Sequence, residues 1–371
     1  LKDKKKVVIL GSTGTIGRMS IDVIKKIDGF EIVGIASGKS VDLLLKQKSE
    51  LPWVKTALTL TNSDDIDFCG EDAIEGLLNS TNPDIVIVGI SGFVGLKYAL
   101  LAAKYSKRLC LANKESIIAG GNFFFDSVKS YGCEIIPVDS EHNAVFQLLD
   151  SERSDIAAIY ITASGGAIRD LPIEKLKDVT PEVVLKHPVW AMGARITVDS
   201  SSMFNKGLEI MEAHFLFNIE QEKIRVLVHP EGKIHGMISL KDGTVKALLS
   251  HADMRLPIIH ALSYPERVKV LEEFEPSGIF NLFPPDHQRY PALDLAYDCL
   301  KDGDGARVAY NAADEIAVQA FLERKIGFTK IYETVSKVID KGWPKVLNDY
   351  ESIDNIDGKV RKLTLEMINK C

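Results

Sequence analysis

Val7-Val8-Ile9-Leu10-Gly11-Ser12-Thr13-Gly14-Thr15-Ile16-Gly17 is the stretch from which the architecture follows. Four consecutive apolar residues read as a strand buried on both faces. Beyond Gly17, Ile21, Ile24 and Ile27 recur at helical spacing. Between strand and helix lie glycines at i, i+3 and i+6, a departure from the usual G-x-G-x-x-G spacing. The mechanics are kept: a tight turn, a backbone that lets a pyrophosphate come close, and a helix N-terminus that favours an anion. An ordinary glycine-rich βα loop is the plainer alternative. The position between a strand and a helix favours the dinucleotide site.

Working outward, the next strand covers residues 31–36 and ends in Ser37-Gly38-Lys39-Ser40. An NAD site usually has an acid here for the ribose 2′-hydroxyl. A lysine without an acid suits the 2′-phosphate of NADP, unless Lys39 is only a solvated turn residue. Strand and helix signals then alternate: strand 85–88, helix 96–103, strand 108–111, helix 122–130 and strand 133–136. Such alternation predicts a parallel sheet with helices on both faces. Ligands bind such sheets at the carboxyl ends of the strands, where Gly11, Gly89, Asn113, Lys114 and Asp139 would all lie.

The last of these strands runs into Pro137-Val138-Asp139-Ser140-Glu141-His142. Two carboxylates at i and i+2 on extended chain face one side, and a histidine follows. The set suits a hard cation or acid–base work. It also suits a solvated turn with Asp139 or Ser140 as a helix N-cap. After a strand at 156–161, Ser164-Gly165-Gly166 could cradle a phosphate with backbone N–H groups or be a simple turn. His187-Pro188-Val189-Trp190-Ala191-Met192-Gly193 has neither helical nor strand period. It reads as a lid with an aromatic cover or as a connecting loop with Trp190 in the core. Ser200-Ser201-Ser202 is expected to cap a helix running to about Phe217, on which Asn205, Lys206 and Glu209 share a face.

Composition bounds the rest. At 371 residues the chain calls for two or three domains. Its net charge of -7 argues against a nucleic-acid surface. Cys69, Cys110, Cys133, Cys299 and Cys371 form no C-x-x-C pair and read as thiols in a reducing compartment. The apolar run after Lys2 to Lys6 is too short for a signal peptide, and no stretch approaches the ~20 apolar residues of a membrane span. A cytoplasmic protein without membrane or nucleic-acid partners is expected.

With GSTGTIG (11–17), LANKES (111–116), PVDSEHNA (137–144), SGG (164–166), HPVWAMG (187–193), DSSSMFNKGLE (199–209), HPEGKIHGMI (229–238), DMR (253–255) and NAADEIAVQAFL (311–322) in order, the chain resembles the 1-deoxy-D-xylulose 5-phosphate reductoisomerase family. The resemblance covers nearly the whole chain. It implies NADPH and a divalent cation, Mn²⁺ or Mg²⁺ with Co²⁺ as a further option, and a phosphorylated small-molecule substrate. It implies Asp139, Glu141 and Glu209 as metal ligands, with Lys114, His142 and His187 completing the catalytic set. Ser164, Ser200, Asn205 and Lys206 would hold the substrate phosphate. Ser140 would border the substrate, and Trp190 and Met192 would cover it. Gly11, Ser12, Thr13, Gly14, Thr15, Ile16, Gly17, Gly38, Lys39, Ser40, Asn113, Glu115 and Gly193 would meet the cofactor. Ala167, Ser40, Val189, Ala194, Glu231 and Asp314 depart from the residues the family usually carries, and none is a proposed metal ligand.

The implied domains are an NADPH-binding domain at 1–138, a catalytic and dimerisation domain at 139–263, a linker at 264–290 and a helical domain at 291–371. Strand-like runs at 225–229, 236–240 and 244–249 alternate as in a sheet. In the family such strands pair subunits, so a homodimer is implied. Helices are expected at 292–300, 305–323, 329–341 and 352–370. The expected fold is thus α/β: an N-terminal Rossmann-like parallel sheet, an α+β catalytic domain and a C-terminal helical bundle.

Overall fold

The structure is a computed structural model that describes residues 4–149, 155–186, 189–190 and 193–370. His187 and Met192, two of the expected site residues, lie outside the described residues. The chain divides into two compact units. One comprises Leu1–Ser116, Phe124–Asn143 and Asp253–Phe274; the other comprises Ile117–Phe123, Ala144–Ala252 and Glu275–Cys371.

The first unit is a doubly wound α/β layer. Its elements in order are β1 (Lys5–Leu10), α1 (Thr15–Ile24), β2 (Phe30–Ser37), α2 (Val41–Glu50), β3 (Lys55–Leu58), β4 (Phe68–Cys69), α3 (Ala73–Thr81), β5 (Ile85–Val88), α4 (Gly95–Tyr105), β6 (Arg108–Leu111), α5 (Lys114–Ser130) and β7 (Glu134–Pro137). The seven strands lie in the order β4-β3-β2-β1-β5-β6-β7, and all pairings are parallel. Val7, Val8, Ile9 and Leu10 of β1 and all of β5 are fully or almost fully buried, as a central parallel strand requires. Winding reverses between β1 and β5, the point at which open α/β sheets bind ligands.

Two details differ from the sequence expectation. The sheet has two more strands than the five read from the sequence. Of the added strands, β3 (Lys55-Thr56-Ala57-Leu58) is half polar and β4 has two residues, so neither shows as an apolar run. Helix α5 starts at Lys114, eight residues before the expected start, because Asn113 caps it by accepting the Ser116 N–H at 2.7 Å. The helix is broken at Gly121, whose φ of 45° and ψ of -135° no helix contains.

In the second unit, α6 (Ser140–Leu149) enters from the first, and β8 (Ile156–Ala163) follows. Then come α7 (Pro181–Val184), α8 (Ala194–Ser202), α9 (Phe204–Phe217), β9 (Ile224–Val228), β10 (Ile234–Leu240) and β11 (Val245–Leu249). These strands form a mixed sheet in the order β11-β10-β8-β9, with β8 parallel to β9 and the other pairings antiparallel. Helix α9 covers it through Ile210, Ala213 and Phe217, which pack with Ile159, Ile161 and Ile238. Helix α10 (Arg255–Ser263) returns to the first unit.

No helix or named strand occurs between Ser263 and Ala292 among the described residues, apart from a bridge pairing Val228 with Phe283. The chain ends in α11 (Ala292–Asp302), α12 (Asp304–Leu322), α13 (Phe328–Ile339) and α14 (Tyr350–Ile368). Helix α12 is the centre of this bundle and packs against the other three; its Ala309, Ala312, Ala313 and Ala317 are fully buried and let the neighbours come close. No helix of the described residues is long and apolar enough to cross a membrane.

One expectation is overturned here. Ser200, Ser201 and Ser202 do not stand at the N-cap of the helix that carries Lys206; they form the last turn of α8, from which the Ser202 hydroxyl accepts the Phe204 N–H at 3.4 Å. Met203, with a left-handed φ of 63°, breaks the chain between α8 and α9 and stands at the N-cap without a side-chain cap bond.

Candidate active site

At the switch point of the first unit, β1 hands over to the glycine loop. Gly11 and Ser12 donate their N–H groups to the Ala36 carbonyl at 3.0 and 2.9 Å. Gly11 has a φ of 84°, and a Cβ there would lie 2.7 Å from the Gly89 oxygen at the end of β5. A Cβ on Gly17 would lie 2.3 Å from the Gly11 oxygen. Both positions demand glycine on steric grounds. Gly14 is the N-cap of α1, and no acidic residue occupies the helix's first turn. Gly14 and Thr15 are exposed, and their neighbour Ile16 is half-buried. This gives an open helix N-terminus suited to a phosphate.

The loop is held from outside by residues absent from the expected set. The Ser12 hydroxyl donates to Gln47 Oε1 at 2.7 Å, and Gln47 Nε2 donates to the Ser12 carbonyl at 2.8 Å. The Thr13 and Ser37 hydroxyls bond at 2.9 Å. Gln47 lies 35 residues along the chain from Ser12, and no local motif could have marked it. Gly38 and Ser40 are half-buried and Lys39 is exposed, all at the end of β2.

Asn113 and Glu115 are buried and shape the loop after β5. Asn113 Nδ2 donates to the Ile90 and Gly92 carbonyls at 2.7 and 3.0 Å and to Glu115 at 3.0 Å. Glu115 in turn accepts the Gly92 N–H at 2.9 Å.

Asp139 follows β7 at the same sheet edge. Its Oδ2 lies 2.7 Å from Lys114 Nζ, and its Oδ1 lies 3.3 Å from His142 Nδ1. Burial works against its charge, but the Lys114 ammonium and His142 hold the carboxyl well below the usual carboxylate range. Glu141 sits in the first turn of α6 and is bonded by the Ser140 hydroxyl. The strand period therefore does not relate Asp139 and Glu141, since β7 stops at Pro137 and Ser140 is already helical. Asn143, another residue outside the expected set, locks this turn by donating to the Pro137 carbonyl at 2.8 Å.

The second unit carries its own polar cluster. Lys206 and Glu209 are 3% and 1% exposed and form an ion pair on α9. Asn205 donates to the other Glu209 oxygen. The i, i+3 and i, i+4 spacing brings these three together as expected. A charged pair this deeply buried is a poor way to gain stability.

Beside α8, Gly165 and Gly166 are both left-handed, with φ of 83° and 69°. The Ser164 hydroxyl accepts the Gly166 N–H at 3.2 Å. Ser201 Oγ accepts the Ala167 N–H at 3.3 Å, and a Cβ on Gly166 would lie 2.5 Å from the Ser201 backbone. The Ser164 loop therefore rests on the last turn of α8, next to half-buried Ser200.

Trp190 is half-buried and meets the His235 ring edge-on at 6.1 Å. Burial pulls the His235 imidazole down to about 4, so it is neutral at pH 7. His235 was not among the expected site residues. Gly193 is the exposed N-cap of α8.

Comparison with known proteins places this geometry. The family profile described as 1-deoxy-D-xylulose 5-phosphate reductoisomerase matches residues 7–121. Two profiles for the C-terminal domains of the same family match residues 135–217 and 249–363. The 1-deoxy-D-xylulose 5-phosphate reductoisomerase of Thermotoga maritima is 43% identical over 363 residues, covering 95% of this chain and 94% of that protein. That of Burkholderia multivorans is 39% identical, covering 99% and 98%.

Among solved structures, a DOX-P reductoisomerase in complex with NADPH, fosmidomycin and magnesium superposes with a TM-score of 0.92. It shares 32% identity over 98% of each chain. The Zymomonas mobilis enzyme in complex with NADPH gives a TM-score of 0.90 with 34% identity over 100% of each chain. On matches of this length and identity, the chain belongs to the 1-deoxy-D-xylulose 5-phosphate reductoisomerase family.

Proposed function

We propose that the residues described in the two units divide the work of the family's reaction between them. That reaction is the NADPH- and divalent-metal-dependent conversion of 1-deoxy-D-xylulose 5-phosphate to 2-C-methyl-D-erythritol 4-phosphate, in non-mevalonate isoprenoid precursor synthesis. The observation that carries the reading is Asp139, a half-buried carboxyl kept ionised by Lys114 at the sheet edge where such folds bind ligands. A hard cation needs ionised oxygen donors, and the donor chemistry of Asp139, Glu141 and Glu209 fits Mg²⁺ or Mn²⁺. When bound, the cation supplies Lewis-acid polarisation of the substrate carbonyl and NADPH supplies the hydride.

The chain's own residues do the rest. Lys114 keeps Asp139 charged and puts a cation beside the reacting end of the substrate. Lys206, Asn205, Ser200 and Ser164, with the left-handed Gly165-Gly166 backbone, anchor the phosphate and turn binding energy into alignment. The glycine loop and the N-terminus of α1 take the cofactor pyrophosphate, and Lys39 takes the ribose phosphate. Trp190 covers the substrate, with His187 and Met192 as further members of the same segment. His142 borders it.

In this reading residues 1–138 form the cofactor domain, 139–263 the catalytic and dimerisation domain, 264–290 a linker and 291–371 the helical domain. The functional unit is a homodimer in the cytoplasm. Support for the dimer comes from β11, an edge strand whose Val245 is 53% exposed.

The deciding test follows NADPH oxidation at 340 nm with 1-deoxy-D-xylulose 5-phosphate, with Mg²⁺ or Mn²⁺ and again with chelator. Turnover that chelator abolishes and metal restores is expected. Absence of turnover in folded protein that binds NADPH would overturn the substrate, and turnover indifferent to chelator would overturn the carboxylate roles.

A further inference from the structure

In the second unit, buried carboxyls from three helices gather about two guanidiniums. Helix α8 brings Asp199, helix α12 brings Asp314 and Glu315, and helix α14 brings Asp357. These four carboxyls share two guanidiniums, Arg195 and Arg361. Arg195 is committed mainly to Glu315, at 2.7 Å, with Asn311 Oδ1 at 3.4 Å. It stands 3.5 Å from Asp199 and 3.7 Å from Asp314. Arg361 is taken by Asp357 and Glu315.

Asp314 is fully buried, and Asp199 is 2% exposed. Among the described residues no N–H or hydroxyl donates to either Asp314 oxygen. Asp199 reaches the same Arg195 guanidinium as Asp314. Two ionised carboxylates can only accept, so acids crowded about one guanidinium can bond to each other only if one of them is protonated.

We infer that Asp199 and Asp314 hold a single proton between them at neutral pH, and that this O–H···O bond seats α8 on α12 and so positions the end of α8 that carries Ser200 and Ser201 against the Ser164 loop. The positioning role rests on the phosphate-anchoring reading of Ser200 and Ser164; the shared proton does not. Asp199 directly precedes Ser200, so a shift of the pair moves the phosphate end by covalent connection.

The surroundings favour the proton. Burial, and then the Asp199 charge, push the Asp314 carboxyl well above its ordinary range. From its own helix, Tyr310 and Glu315 face the pair, and α11 adds the Cys299 thiol near Tyr310. Burial pushes that thiol above its usual range, so it brings no charge at neutral pH. From α14 come Asp357 and Arg361. Helix α9 carries buried Lys206, Glu209 and Glu212, and the first two pair with each other. Helix α13 buries an apolar face of Phe328, Ile331, Val335 and Val338. Arg195 is the one cation within ion-pair distance of Asp314 among the described residues.

The sign of the pH effect follows. A folded-state pKa raised above the unfolded value of ~3.9 gives stability that is complete below that value and is lost as pH climbs through the folded pKa. Asp314→Asn replaces the shared proton with an amide N–H that does not titrate.

The experiment compares wild type, Asp314→Asn and Asp199→Asn by thermal melting from about pH 4 to pH 9. It also measures the KM of each substrate over the neutral and alkaline part of that range. Wild type and variants are expected to melt alike near pH 4, the variants gaining as pH rises until the gap levels off. The wild-type KM for 1-deoxy-D-xylulose 5-phosphate should rise roughly tenfold towards the alkaline limit, with the NADPH KM steady and both variants flat. A melting difference independent of pH would overturn the shared proton. A pH-dependent melting gap with no movement of the substrate KM would overturn the positioning role. Ser200→Ala, assayed at neutral pH, tests the phosphate reading separately: an unchanged KM there would sink that reading and leave the melting result to judge the proton.

Discussion

The glycine loop of the first unit and the α8–α9 region of the second are both polar, yet they are built by different means. The loop is made of backbone. Gly11 and Gly17 clear space for a close approach, main-chain N–H groups turn towards Ala36, and the helix start at Thr15 is left open. The α8–α9 region is made of buried side-chain charge. Lys206 holds Glu209, Arg195 holds Glu315, and Asp199 and Asp314 crowd the same Arg195. A backbone site tolerates changes around it and fails when its own glycines change. A site of buried charge fails when either partner is removed, because the survivor is left charged without a counter-ion.

Glu209→Gln should give the largest effect. Loss of an ionised ligand is expected to cut turnover by about 10³-fold or more, while NADPH affinity stays within a factor of about two. Retained metal-dependent turnover would remove Glu209 from the site. Loss of NADPH binding as well would show that the two regions are not separable.

Gly17→Ala works on the opposite side of the comparison. Its Cβ would meet the Gly11 oxygen at 2.3 Å, so the loop must shift, at a cost of about 1–3 kcal/mol. The expected outcome is a fall in melting temperature and a cofactor affinity reduced by about tenfold or more. Unchanged NADPH titration in this variant would refute the backbone account of the loop.

The smallest effect is expected from Gln47→Leu, which removes two bonds to Ser12 without touching the loop's own atoms. The two bonds are worth about 2 kcal/mol together, and with roughly half of that felt in cofactor binding the KM for NADPH should rise about fivefold with kcat little changed. A fall in kcat at constant KM would mean that Gln47 acts on the chemistry and not on the loop.

How legible each region was in the sequence follows from the same difference. The glycine loop could be read because strand, loop and helix are contiguous in 5–24, and β1, β2, β5, β6 and β7 showed as apolar runs. Strand β3 was missed because Lys55-Thr56-Ala57-Leu58 is half polar and forms no apolar run, and β4 because it has two residues. Lys206 and Glu209 could be read because helical spacing alone joins them. The end of α8 was read as the start of the next helix because Ser200-Ser201-Ser202 has the composition of a cap, and Ser202 does reach α9, through the Phe204 N–H. The break falls instead at Met203, a left-handed position that its residue type does not advertise.

The sequence by itself determined the parallel sheet, the place of the glycine loop and the helical face of Asn205, Lys206 and Glu209, all of which depend on neighbours a few residues apart. Only the tertiary structure decided that Gln47 clamps Ser12, that His235 faces Trp190 and that Asp199 meets Asp314. These partners lie tens to more than a hundred residues apart, and burial then sets their protonation. Neither the meeting nor the loss of water is encoded in a local pattern; both arise when helices and loops pack and exclude solvent.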